Sequence, residues 1–224
     1  MNKVVDIKTA IDRIKSGDIV MIGGFTNYGG PNHLLYELAK HEVKNLTTVS
    51  EDVGWSTGAY TQGISMLLEK GRISRVMTSF IGNNKIANEL FAKGSVELTL
   101  IPQGTLAERI RAAGAGIGGF YTPTGVGTVV EEGKETKVIN GKTYLLELPL
   151  RANVALIKAH TADMMGNAVF RYTAANFNPI MAMAADVVIL EAENIVEPGG
   201  IEPDRVQLPG IFVDYIVHAA EVAF

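Results

Sequence analysis

The sequence contains no cysteine. That absence removes disulfide frameworks, thiolate zinc sites and cysteine nucleophiles together, and it fits a reducing compartment. Charge of either sign is not in surplus: 20 basic against 24 acidic residues leave a formal net charge of −4. Such a balance disfavours a general polyanion binder, so nucleic acid is not expected and small ligands or protein partners are. Nowhere do about 18 apolar residues run without charge, so no membrane span is expected. Met1 to Ile22 spaces its apolar residues through charged ones and resembles neither a signal peptide nor an anchor, which leads to an expected cytoplasmic location. His33, His41, His160 and His218 are scattered without H-E-x-x-H spacing, and no metal site is expected.

What is present is a long apolar alternation. In 224 residues, 47% of them hydrophobic, there is ample material for a core, and no repeat, low-complexity tract or linker divides the chain, so residues 1–224 read as a single domain. Asp6 caps a helix expected over 7–16, and Ile19 to Ile22 make a buried strand too short for a helix. A glycine loop follows, and Pro31 opens a second helix on Leu34, Leu35 and Leu38. The alternation continues with strands over 46–50, 75–80 and 96–101 and helices over 59–70, 84–93 and about 106–113. Val154 to Lys158 and Val187 to Leu190 are further strands, with a helix between them that Asn178 caps and Pro179 opens, and Ile211 to Val217 is the last strand. Asn140-Gly141, flanked by Thr136 to Ile139 and Thr143 to Leu148, signals a hairpin because both turn positions need positive φ. The expected fold is α/β: an open, mostly parallel sheet with helices on both faces plus a β-hairpin.

Several stretches carry the residue types of a site. Gly23-Gly24-Phe25-Thr26-Asn27-Tyr28-Gly29-Gly30-Pro31 lies at the carboxyl end of the first strand and opens a helix, where open α/β sheets bind ligands. Glycines let backbone amides approach a phosphate or oxyanion, and a helix N-terminus adds partial positive charge. No G-x-G-x-x-G spacing passes through these glycines, and no Gly-Lys-Ser/Thr follows, so neither a dinucleotide fingerprint nor a P-loop is present here. Gly114 to Gly119 follows a helix instead of a strand and is weaker still. Gly54-Trp55-Ser56-Thr57-Gly58 matches G-x-S-x-G, with Asp186 and His218 in triad order, but Glu51 to Gly54 separate Ser56 from the strand that a nucleophile elbow requires. Glu51 and Asp52, at the end of the second strand, are candidates for an acid/base pair or a nucleophile, or simply for a solvated helix approach or helix N-terminal charge. Gln103, after the fourth strand, can donate to a substrate carbonyl or carboxylate.

Taken in order, Gly23-Gly24-Phe25-x-x-x-Gly29-x-Pro31, Pro102 to Arg111, Gly114-Ala115-Gly116, Tyr121 to Thr128 and Asn176-Phe177-Asn178-Pro179 resemble the alpha subunit of two-subunit, family I CoA-transferases of the acetate, acetoacetate and butyrate type. Ser16 departs from the Asp or Asn usual in that family.

The resemblance implies reversible transfer of coenzyme A from a short-chain acyl-CoA to a carboxylic acid. Coenzyme A and acyl-CoA would be substrates, with no permanently bound cofactor. It implies a partner beta subunit whose Ser-Glu-Asn-Gly motif supplies the glutamate that forms the glutamyl-CoA thioester. Gly23, Gly24, Phe25, Thr26, Asn27, Tyr28 and Gly29 map onto the CoA-binding loop, and Gln103, with Gly104 and Glu51 beside it, onto the substrate pocket. Ser50-Glu51-Asp52-x-Gly54 looks like the beta-subunit nucleophile motif, yet every other motif here is of the alpha type. No catalytic residue is therefore expected in this chain, with Glu51 the one candidate and a polar site-lining or structural role preferred. Two alternatives are a self-sufficient homo-oligomer using Glu51 and a non-catalytic acyl-CoA-binding subunit.

Overall fold

The computed structural model of the chain describes residues 2–26, 28–57, 61–82 and 84–219. Helices α1 (Ile7–Ile11), α2 (Asn32–Lys40), α3 (Ser65–Glu69), α4 (Lys85–Ala92), α5 (Gln103–Gly114) and α6 (Asn178–Met183) alternate with the main strands. These are β1 (Ile19–Ile22), β2 (Leu46–Ser50), β5 (Ile73–Thr78), β6 (Glu97–Leu100), β10 (Ala152–Asp163), β12 (Ala185–Val196) and β13 (Tyr215–His218). Short strands β3 (Trp55–Ser56) and β4 (Thr61–Gln62) pair with each other, while β7 (Phe120–Thr122), β8 (Thr136–Ile139) and β9 (Lys142–Glu147) form a separate antiparallel sheet. The central sheet runs β13-β12-β10-β1-β2-β5-β6, every neighbour parallel, with β11 (Ala168–Val169) antiparallel on β10. The expected open parallel sheet with helices on both faces and a hairpin is what the chain builds.

Both faces are buried, and the period-2 alternation of the strands divides the core. Val20, Ile22, Val154 and Leu156 pack with Leu34, Leu35 and Leu38 of α2 and the buried residues of α1, α3 and α4. Met21, Ala155 and Ile157 face the other way, onto Leu106 and Ile110 of α5 and Met181 of α6. From β1 the chain proceeds outward to β2, β5 and β6, then returns to place β10 on the opposite side of β1. The crevice between β1 and β10 is thus a topological switch point, and the ligand-binding rim of such sheets lies at their carboxyl ends.

Local differences from the sequence-based expectations have physical causes. The first helix stops at Ile11 instead of 16, because i→i+3 bonds tighten the chain at Ile14 and the Asp18 carboxylate accepts the Lys15 amide. The helix expected over 59–70 begins only at Ser65: Thr61–Gln62 is drawn into pairing with Trp55–Ser56, and Ala59 and Tyr60 lie outside the described residues. Strands β10 and β12 each extend to twelve residues, well past their apolar runs, because each supplies the other's ladder through Asp163↔Val196. The hairpin turn is as expected, with Asn140 at φ 49° and Gly141 at φ 77°. Its sheet gains a third strand, β7, and is tied to α5 through Glu147, which is 2% exposed and pairs with Lys134 and with Arg109 at 3.9 Å.

Candidate functional site

Because the central strands are parallel, Gly23, Glu51, Ser79 and Pro102 all leave the sheet on one rim. The glycine loop there is stapled from below by the Asn176-Phe177-Asn178-Pro179 segment. Asn178 is fully buried; its Oδ1 accepts the Lys158 amide at 3.0 Å and its Nδ2 donates to the carbonyls of Gly29 at 3.1 Å and Ala174 at 2.8 Å. By its place in the sequence Asn178 is expected to cap the helix, but the capping position falls to Phe177 and the Asn178 amide is turned toward the loop. Asn176 Oδ1 accepts the Gly24 amide at 3.2 Å, and its Nδ2 donates to the carbonyls of Tyr28 at 2.8 Å and Thr173 at 3.0 Å. Thr26, Tyr172 and Asn176 all have positive φ, at 46°, 53° and 24°, so strained non-glycine backbone gathers at this junction, as it does at ligand sites.

Most of the loop's described amides donate within the chain: Gly23 to Leu156 O, Gly24 to Asn176, Phe25 and Tyr28 to each other's carbonyls, and Thr26 to Asp52 Oδ2 at 2.7 Å. Asn27 lies outside the described residues. The N-terminus of α2 is also engaged, since the Leu34 amide donates to Glu191 Oε2 at 3.1 Å. Pro31, at the capping position, has no side-chain acceptor, and a carboxylate from β12 takes that role across the sheet. Glu191 is 1% exposed; burial pushes its carboxyl up, opposed by the Leu34 and His33 amides and by Lys158, whose Nζ is 3.6 Å away. Lys158 also pairs with Glu193 at 3.3 Å, and Glu193 with His160 at 2.8 Å. Sequence reasoning misses this ladder, for polar residues at the end of an apolar run resemble a strand terminus.

Beside the glycine loop, the β2 loop is held by its own backbone. The Glu51 carbonyl accepts the amides of Ser79 and Phe80 and the hydroxyls of Thr78 and Ser79, and Asn84 Nδ2 donates to the carbonyls of Val53 and Gly54. Asp52 Oδ1 accepts the Gly54 amide at 2.5 Å while its Oδ2 holds Thr26, so one carboxylate joins the β2 loop to the glycine loop. Glu51 is 5% exposed, and burial, with the Asp52 carboxylate second, pushes its carboxyl up to about 7. Outside this junction a cavity of about 840 Å³ opens, lined among others by Thr26, Asp52, Trp55, Phe80, Lys85 and Leu100. Glu51 lines a separate crevice of about 20 Å³ against Gly24, Gly30 and Asn32. Gln103 and Gly104 are exposed at the head of α5 on the same rim, and a β-carbon on Gly104 would meet no atom within 4 Å.

The triad suggested by Gly54 to Gly58 does not assemble. Ser56 is buried in β3, His218 ends β13, and Asp186, near the start of β12, pairs with Arg151 at the opposite rim. Among the described residues no group of three or more His, Asp or Glu is placed to hold a metal ion, and no helix is long and apolar enough to cross a membrane.

The family model for coenzyme A transferase matches residues 4–219. The chain belongs to the coenzyme A transferase family. It is similar to the alpha chain of the acetate CoA-transferase of Escherichia coli (strain K12), with 43% identity over 219 residues covering 98% of both chains. It is also similar to the alpha chain of the acetoacetyl-CoA:acetate/butyrate CoA transferase of Clostridium acetobutylicum, with 43% identity over 216 residues, 96% of this chain and 97% of that one. Within the family it is therefore an alpha-type chain, one subunit of an enzyme built from more than one. An acyl-CoA transferase of E. coli O157:H7, solved as a thioester complex with CoA, shares the fold at a TM-score of 0.86 and 22% identity over 97% of this chain. This chain spans 47% of that longer one.

Proposed function

We propose that this chain is the alpha subunit of an acyl-CoA:carboxylate CoA-transferase that works as one domain, binding the coenzyme and part of the acyl group while a beta subunit supplies the nucleophile. One observation carries the reading. The rim presents a large, largely apolar cavity whose one lining carboxylate among the described residues, Asp52, is already committed to two backbone amides. A cavity so built can hold an acyl-CoA but offers no ionised carboxylate free to attack it.

The glutamate of the partner's Ser-Glu-Asn-Gly motif would attack the acyl-CoA carbonyl carbon. The C–S bond breaks, CoA leaves as thiolate and a mixed anhydride forms. The thiolate then attacks the glutamyl carbonyl, the anhydride C–O bond breaks, and the first acid departs as carboxylate. The second acid reverses both steps. In this chain, Trp55, Phe80 and Leu100 supply apolar surface for the pantetheine or acyl chain, Lys85 a cation for a carboxylate or phosphate, and Gln103 a donor at the rim. Because the loop's amides are largely used internally, the glycine loop acts chiefly as a rigid wall that lets the substrate approach the backbone closely.

The test is reconstitution. The purified chain is expected to transfer no CoA by itself, and to do so with a short-chain acyl-CoA and acetate or a 3-oxo acid once its co-expressed beta chain is added. Borohydride trapping and mass spectrometry should place the thioester on the beta chain. Turnover by this chain alone, or a modified Glu51, overturns the proposal.

A further inference from the structure

The junction of the β2 and glycine loops holds two adjacent carboxyl groups in opposite circumstances. Asp52 accepts the Thr26 and Gly54 amides, one on each oxygen, so both of its oxygens serve as acceptors. Glu51 is buried beside it, with Oε2 lacking any hydrogen-bond partner and Oε1 3.1 Å from Ser79 Oγ. Ser79 has a single hydroxyl hydrogen and lies closer, at 2.8 Å, to the Glu51 carbonyl. An ionised Glu51 would have that one shared donor, an unpaired oxygen and a like charge next to it. A protonated Glu51 can donate to Ser79 Oγ or to the Asp52 carboxylate, and its neutral oxygen costs less to bury.

We propose that Glu51 and Asp52 share one proton and act as a latch, Glu51 being a positioning residue that keeps Asp52 clamped on Thr26 of the glycine loop. The surroundings fit this role. The groups facing Glu51 from the other elements are uncharged: Gly23, Gly24 and Gly30 of the loop, Asn32 at the head of α2, Ser79 after β5, and Gly63 before α3. Lys85, across the adjoining cavity, is the one cation lining that space among the described residues. The crevice at Glu51, about 20 Å³, has room for a water at most. With burial and Asp52 raising the affinity of Glu51 for its proton to a midpoint of about 7, the latch is closed in weak acid and opens in weak base. Opening sets two negative charges against each other and frees the Thr26 amide.

The kinetic consequence rests on the reading of the chain as a CoA-transferase subunit. In the reconstituted complex, KM for acyl-CoA should rise at least fivefold between pH 6 and pH 8.5 while kcat changes less than threefold. Glu51→Gln, which keeps a donor and carries no charge, should hold KM at its low-pH value across the range with kcat within threefold of wild type. A thousandfold loss of kcat in Glu51→Gln would make Glu51 the nucleophile, and a KM profile identical to wild type would remove the latch. A second readout needs no activity: hydrogen exchange of the Thr26 and Gly54 amides in the full chain, corrected for intrinsic rate. It should speed at least tenfold through neutral pH in wild type and stay flat in Glu51→Gln. If no acyl-CoA and acid pair is turned over but exchange follows this pattern, the functional reading fails and the latch stands. If exchange in wild type is flat, the latch fails whatever the kinetics show, including where the variant does not fold.

Discussion

Asn178 Oδ1 occupies the space of the side chain that Gly23 lacks: a β-carbon at Gly23 would lie 1.9 Å from it. The glycine is there to admit a buried amide that bonds three backbone groups, so substitution strikes the staple of the loop. Gly23→Ala should cost about 3 to 5 kcal/mol, combining overpacking with the loss of roughly three hydrogen bonds. Urea unfolding of the full chain would show it, and reconstituted activity should fall with it. Gly104, also a small residue on the rim, makes the contrast. Gly104→Ala meets nothing in this chain and should raise stability by about 0.5 kcal/mol through its helical position. If Gly104 borders the substrate, kcat/KM should drop at least tenfold nonetheless. Thermal melts and kinetics on the same two variants separate a structural glycine from one kept clear for a ligand.

What the sequence discloses, and what it hides, follows from the range of the interactions. Gly23, Gly24 and Pro31 are legible because their residue types declare a backbone need at their own position. The β1, β10 and β12 runs are legible because a buried parallel strand is apolar on both faces. Asn178 misleads because next to a proline it has every local mark of a cap, while its bonds go to Lys158 and Gly29, some 20 and 149 positions away. Glu51 is visible as a candidate, but whether a carboxylate attacks or latches depends on burial and on which cavity it lines. Neither is written in four consecutive residues.

Stability should carry the signature of Glu51. Its carboxyl binds a proton more tightly in the folded chain, at about 7, than at its ordinary 4.5. The stabilisation is therefore complete below pH 4.5 and declines as pH rises through about 7, the reverse of a salt-bridged carboxylate. Melting temperatures from pH 5 to pH 8 should fall more steeply for wild type than for Glu51→Gln, and the two curves should diverge across that window. Parallel curves would mean that Glu51 titrates normally.

The hairpin supplies a control remote from the rim. Gly141 sits at φ 77° with open space where a β-carbon would go, so Gly141→Ala suffers only backbone strain, about 1 kcal/mol. Denaturant midpoints should register that cost while acyl-CoA KM remains at the wild-type value, since the turn is not among the residues around the cavity.

Glu191 tests whether the cap on α2 matters more as charge or as acceptor. Its carboxylate holds the Leu34 amide and faces Lys158, which keeps Glu193 as a second partner. Glu191→Ala removes the acceptor and leaves buried amides unsatisfied, and should cost about 2 to 4 kcal/mol. Glu191→Gln retains an oxygen for the amides and should cost about 1 kcal/mol, because Lys158 is still neutralised from β12. If the two variants are equally destabilised, the ion pair dominates and the helix N-terminus was not relying on its acceptor. If they separate as expected, the start of α2 is fixed by an internal acceptor, and phosphate or carboxylate ligands must find their donors elsewhere on the rim. Titration of reconstituted Glu191→Gln with CoA then decides the matter: affinity within threefold of wild type is expected, because no ligand group displaces that side chain.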